Sequence, residues 1–122
     1  MSNTAQQLPT KTSGETRIVS FDFGDSTGAA SGKLDVGETL TGTPTVTQAS
    51  KTPSTATDLT IGAPAVNVAA CLVNGRSCAI GEVVQVTVSG GDNGATYSLK
   101  FHCGTNLNET LECFGTLKVE DS

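Results

Sequence analysis

No tryptophan occurs in this chain of 122 residues, and its aromatic side chains are four phenylalanines and one tyrosine. Rings supply large buried areas in ordinary cores, so their scarcity predicts a thin aliphatic core stabilised by sheet pairing. Burying each Val, Leu or Phe fully is worth about 1.5–3 kcal/mol, so a small set of side chains must do most of the work. Cations are sparse as well. Lys11, Arg17, Lys33, Lys51, Arg76, Lys100 and Lys118 stand singly in a chain of net charge −5, and scattered charges form no stripe for phosphates. No apolar run approaches the roughly 20 residues that span a bilayer as a helix. The segment after Met1, SNTAQQLPTKTSGET, is polar throughout, so the expectation is synthesis in a cytoplasm without export through a cleaved leader. Nucleic acid and membrane are therefore not expected as partners.

Catalytic constellations are also missing. His102 is the only histidine, and its neighbour Cys103 points to the opposite face of any strand that holds both, so the two form no Cys-His pair. No G-x-S-x-G elbow is present. Asp22, Asp25 and Asp35 could gather around a calcium ion, but without EF-hand spacing they read better as solvated loop acids. Gly90 to Gly94 joins strand to strand, so it offers no helix N-terminus to a phosphate. The sequon Asn108-Glu109-Thr110 falls in an expected loop tip, where turn chemistry explains it. The expectation is a protein that is not an enzyme and holds no cofactor or metal.

What the sequence does contain is alternation. Tyr97, Leu99, Phe101 and Cys103 share one face of a strand and Ser98, Lys100 and His102 the other. Val84, Val86 and Val88 share a face in the preceding strand, and Leu111, Cys113, Leu117 and Val119 in the following one. With Gly90-Gly91-Asp92-Asn93-Gly94 as a reversal, Glu82 to Glu120 reads as a three-stranded meander. Upstream, Thr16 to Phe23 forms a strand with Arg17, Val19, Phe21 and Phe23 on one face. Glu38 to Gln48 is a second, bent or edge-bound at Gly42 and Pro44, and Ala49 to Thr57 reads as a loop. Asp58 to Ile61 and Ala65 to Val73 are shorter strand candidates, and Asn74-Gly75 is a strong two-residue hairpin signal. Six to eight strands without a helix predict an all-β antiparallel sandwich or barrel over residues 16–122. Residues 1–15 read as an extended N-terminal arm, either disordered or ordered on a neighbouring subunit.

Four cysteines stand at Cys71, Cys78, Cys103 and Cys113. Counting outward from Asn74-Gly75 sets Cys71 opposite Cys78, and a loop centred on Asn108 would set Cys103 opposite Cys113. Directly opposed antiparallel residues lie about 4.5–5.5 Å apart at Cα, within disulfide reach. Local pairs 71–78 and 103–113 are the natural assignment, with crossed pairing and four buried thiols as alternatives. The spacings lack the tight C-x2-4-C elements of structural zinc sites.

Val84, Val86 and Val88, followed by Ser89-Gly90-Gly91, Gly94-Ala95-Thr96-Tyr97 and Leu117-Lys118-Val119-Glu120-Asp121, with Gly37-Glu38-Thr39-Leu40 upstream, resemble small phage virion proteins of immunoglobulin-like fold. The resemblance spans roughly residues 36–121; the four cysteines and the missing tryptophan depart from it. It implies an immunoglobulin-like β-sandwich located in the virion and a non-catalytic adaptor that attaches tail fibres to the tail. Its implied partners are other virion proteins, namely the tail-fibre N-terminus and tail or adaptor-ring subunits, and further copies of itself. Capsid decoration or a head-fibre role is the alternative, followed by a carbohydrate-binding surface module. Interface candidates on this reading are Thr4, Leu8, Pro9 and Lys11 in the arm, the loops Gly24 to Lys33 and Ala49 to Thr57, and Phe114, the one ring expected outside the core.

Overall fold

Alternation decides where strands form, and strands are the only regular structure among the described residues. The computed structural model describes residues 6–8, 10–24, 34, 37–73 and 76–121. Its strands are β1 (Gln6–Gln7), β2 (Arg17–Asp22), β3 (Leu40–Thr52), β4 (Leu59–Ile61), β5 (Ala65–Val66), β6 (Cys71–Val73), β7 (Arg76–Cys78), β8 (Val83–Gly90), β9 (Thr96–Thr105) and β10 (Thr110–Lys118). One sheet has the order β1-β10-β9-β3 and the other β2-β8-β4, with β5 also on β8; β6 and β7 form a separate hairpin. All pairings among these strands are antiparallel except that of β1 with β10.

The core lies between the two sheets. From one side come Val19 and Phe21 of β2, paired with Val86 and Val84 of β8, and from the other Tyr97, Leu99, Phe101 and Cys103 of β9. Phe21 stacks on Phe101 with ring centroids 4.7 Å apart, and Phe23 meets Phe21 edge-on at 5.1 Å. Three of the five rings thus join the layers at one point, which lets a ring-poor chain fill its interior.

The expected meander from Glu82 to Glu120 is corrected. β9 and β10 do form a hairpin, but β8 belongs to the other sheet, so Gly90 to Gly94 carries the chain across the sandwich. Gly90, Gly91 and Gly94 do adopt positive φ as anticipated. At Gly91 close packing adds to the requirement, because a Cβ there would sit 2.9 Å from Leu59 Cδ2 and 3.0 Å from Val119 Cγ2. Tyr97 fixes the crossing: its buried hydroxyl donates to Thr57 O at 2.6 Å and accepts from Asp92 N at 3.0 Å.

β3 is an edge strand with a register shift between Thr41 and Thr45, where Gly42 takes φ 77° and Pro44 needs no ladder donor. The loop expected from Ala49 is corrected, since β3 continues past a second shift at Gln48/Ser50 and pairs through Thr52. Gln48 and Lys51 stitch the following turn, with Leu59 N donating to Gln48 Oε1 at 2.9 Å and Lys51 Nζ reaching Asp58 Oδ1 at 2.7 Å. The strand candidate Ala65 to Val73 is split into β5 and β6.

Two glycines at the crossing separate backbone strain from packing. Gly94 has φ 88° with nothing within 4 Å of an added Cβ, whereas Gly91 has φ 92° and touches the core. Gly94→Ala should cost about 1–2 kcal/mol for the left-handed backbone alone, and Gly91→Ala a further 1–3 kcal/mol, roughly, from overpacking. Denaturant unfolding of both variants checks the difference.

Candidate functional site

The N-terminal segment belongs to this chain's own sandwich. β1 runs parallel to the outer edge of β10, with Gln6 opposite Gly115 and Gln7 opposite Thr116. Leu8 N donates to Thr116 O at 2.8 Å, and its side chain is buried over Gly115, where an added Cβ would fall 3.0 Å from Leu8 Cδ1. Lys11 N donates to Lys118 O and Glu120 N to Lys11 O. The Lys11 ammonium, covered but shallow, donates to Gly90 O and Thr12 O, both at 2.7 Å. Burial pulls its pKa below the ordinary lysine value, opposed in part by Glu15 and Asp121. The interface candidates Leu8 and Lys11 are thus held within the chain by apolar contact and carbonyl acceptors. Thr4 and Pro9 lie outside the described residues, as does most of the loop Gly24 to Lys33.

Phe114 stands where expected, on the outer face of β10 and 40% exposed. Its row across the sheet is Thr47, Lys100 and Phe114, and the next row is Thr45, His102 and Glu112. Lys100 Nζ lies 3.8 Å from Glu112 Oε2. Thr41, Thr43, Thr45 and Thr47 of β3 are exposed, so the outer face of this sheet is polar and hydroxyl-rich around Phe114.

A second surface is the β6–β7 hairpin and its flanks, which expose Val68, Leu72 and Ile80. The hairpin has the anticipated register, with Cys71 opposite Cys78, Leu72 opposite Ser77 and Val73 opposite Arg76. Val73 and Cys78 pack on Val83 with Cys71 beside them, forming a small core on the outer face of the second sheet. Asn67 anchors this unit. Its Oδ1 accepts from Gly81 N at 3.0 Å and Val83 N at 3.1 Å, while Nδ2 donates to Ala69 O at 2.9 Å and Ala79 O at 3.0 Å. Beneath the hairpin, oxygens of Asp22 and Glu82 and the Cys78 sulfur lie within 4.8 Å of one another, and Glu82 Oε1 accepts from Ala79 N at 3.0 Å. Asp22 is thus a buried residue; Asp25 and Asp35 lie outside the described residues.

All four cysteines are thiols in the structure. The expected opposition of Cys103 and Cys113 is corrected, because Cys103 faces Leu111 and Cys113 faces Phe101. The loop is centred on Leu107, where Thr105 N donates to Glu109 O at 2.8 Å and Asn108 turns the chain with φ 63°. That conformation accounts for Asn108 as turn chemistry. Cys103 donates its thiol hydrogen to Thr41 O at 3.5 Å, and burial pushes its pKa up.

Asn67 went unread in the sequence because it lies inside a strand candidate; a β-disfavoured amide among Val and Ala was the available signal. Asn67→Ala orphans buried backbone groups and should cost about 3 kcal/mol, measured by urea unfolding. The N-terminal segment is also tied by two carboxylates. Asp121 accepts from Ser13 N at 2.7 Å and Glu15 from Thr12 N at 2.8 Å, which lower their pKa values from 3.8 and 4.5. Folded values below unfolded ones give stability present above pH 4.5 and lost as pH falls through the folded values. The amide protons of Thr12 and Ser13 should therefore shift as pH falls through those folded values, and Asp121→Asn with Glu15→Gln should remove that titration.

No family model, no curated protein and no solved structure matches this chain.

Proposed function

We propose that this protein is an immunoglobulin-like structural module of a phage particle, an adaptor that joins tail fibres to the tail without catalysing a reaction. The observation that carries the fold reading is strand order. β2-β8-β4 facing β3-β9-β10 matches the B-E-D and C-F-G arrangement of immunoglobulin sandwiches. Tyr97 supports it further, since it stands at the start of β9, the strand-F position, and its hydroxyl bonds to backbone five residues upstream at Asp92 N, as a tyrosine at the E–F corner does in such folds. The particle role rests on the residue resemblance between 36 and 121.

The geometry favours particular contacts. With β1 on the edge of β10, the outer edge of β3 pairs with no other strand among the described residues, which suits it to strand addition by an extended segment of a partner. Phe114 stands two strands in from that margin, across β9 on the outer face, where ring burial anchors interfaces effectively. Fibre contacts therefore lie on the face of β3, β9 and β10 rather than on Leu8 and Lys11.

Phe114→Glu tests this proposal. The substitution changes an exposed side chain, so the unfolding free energy should stay within about 0.5 kcal/mol of the parent. Fibre attachment to particles assembled with the variant should fall at least tenfold, roughly, as for loss of an interface anchor. Normal fibre occupancy, counted by mass spectrometry of purified particles, would refute the surface. Absence of the parent chain from purified particles would refute the particle role itself.

A further inference from the structure

We infer that the β6–β7 hairpin is a redox-closable clasp: Cys71 and Cys78 form one disulfide by exchange with a small disulfide such as oxidised glutathione, and Cys103 and Cys113 remain thiols. The inference goes beyond the proposed particle role and does not depend on it.

Register separates the two pairs. Cys71 and Cys78 are direct partners in the hairpin, and opposed antiparallel residues lie about 4.5–5.5 Å apart at Cα, inside the span of a disulfide. Cys103 and Cys113 are offset by two positions on paired strands. Such diagonal neighbours lie about 7–8 Å apart, beyond what a disulfide bridges without backbone movement. Both are also buried, at 1% and 7% exposure, and the Cys103 thiol is held by Thr41 O.

Access then orders the chemistry. Cys71 is half-buried with Asn67 Nδ2 at 3.9 Å from its sulfur, whereas Cys78 is fully buried. The Cys71 thiolate attacks one sulfur of oxidised glutathione; that S–S bond breaks, and one glutathione leaves as thiolate and takes a proton from water. Cys78, whose sulfur lies within 4.8 Å of oxygens of Asp22 and Glu82, then gives up its proton to the departing glutathione. Its sulfur attacks Cys71, the Cys71–Cys78 bond forms, and the second glutathione leaves with that proton. The two cysteines lose two electrons and oxidised glutathione gains them, leaving two reduced glutathiones. In a reducing cytoplasm the hairpin stays open. In an oxidising medium it closes and stiffens the element that presents Leu72.

The test uses the full chain, incubated with oxidised glutathione, quenched in acid and weighed intact without reduction. The expected product is lighter by two hydrogens. Trypsin cuts after Arg76 and so leaves Cys71 and Cys78 on separate peptides, which the expected disulfide holds together until reductant is added. Cys78→Ser should accumulate one glutathione on Cys71, and Cys71→Ser should take up none. An unchanged mass in the parent chain, a disulfide containing Cys103 or Cys113, or uptake of glutathione by Cys71→Ser would overturn the inference. The parent peptide map decides the pairing even if a serine variant fails to fold.

Discussion

The hydroxyl of Tyr97 sits at the one place where the C-terminal half of the chain must pass from one sheet to the other. It bonds to both segments of the corner, donating to Thr57 O and accepting from Asp92 N. A buried hydroxyl left without partners costs about 1–3 kcal/mol, so the corner is held by a penalty as much as by a gain. Anchoring Tyr97 there sets the start of β9, which pairs with β10 on one side and β3 on the other. The resulting register brings Phe101 against Phe21 and closes the core. Gly91 makes the corner possible, because Leu59 and Val119 occupy the space that any side chain would need.

The two margins of the larger sheet are treated differently. On the β10 side the chain covers its own edge with its N-terminal segment, seating Leu8 over Gly115 and turning Lys11 toward Gly90 O. On the β3 side the edge is interrupted by two register shifts and carries Lys51, both devices that discourage indiscriminate strand pairing while leaving room for a specific partner. This asymmetry directs the functional reading toward β3 and the face that bears Phe114.

Where a residue's role was set by neighbours in sequence, it was legible beforehand. The alternating faces of β9 and β10 appear as buried and more exposed rows, and Asn74-Gly75 placed Cys71 against Cys78 because a two-residue turn allows little else. Roles set by distant contacts were not legible. Leu8 and Lys11 sit in a polar segment whose local pattern favours an arm, and only the edge of β10, at the far end of the chain, gives them a place. The meander reading failed for the same reason. Glycines at 90, 91 and 94 announce a reversal, but whether β8 and β9 pair is decided by Leu59, Tyr97 and Val119 packed around Gly91. The offset of Cys103 from Cys113 turned on a loop centre one residue earlier than the expected Asn108, a difference fixed by the Thr105–Glu109 hydrogen bond.

The central structural claim is that β8 and β9 lie in opposite sheets and that the N-terminal segment completes the sheet of β9. Nuclear Overhauser contacts in the labelled protein measure this directly. Cross-strand contacts of β8 with β2 and β4, ring contacts between Phe21 and Phe101, and contacts from Leu8 methyls to the Gly115 α-protons are the predicted result. A continuous ladder of backbone contacts between β8 and β9, or a Leu8 without contacts to β10, would contradict it.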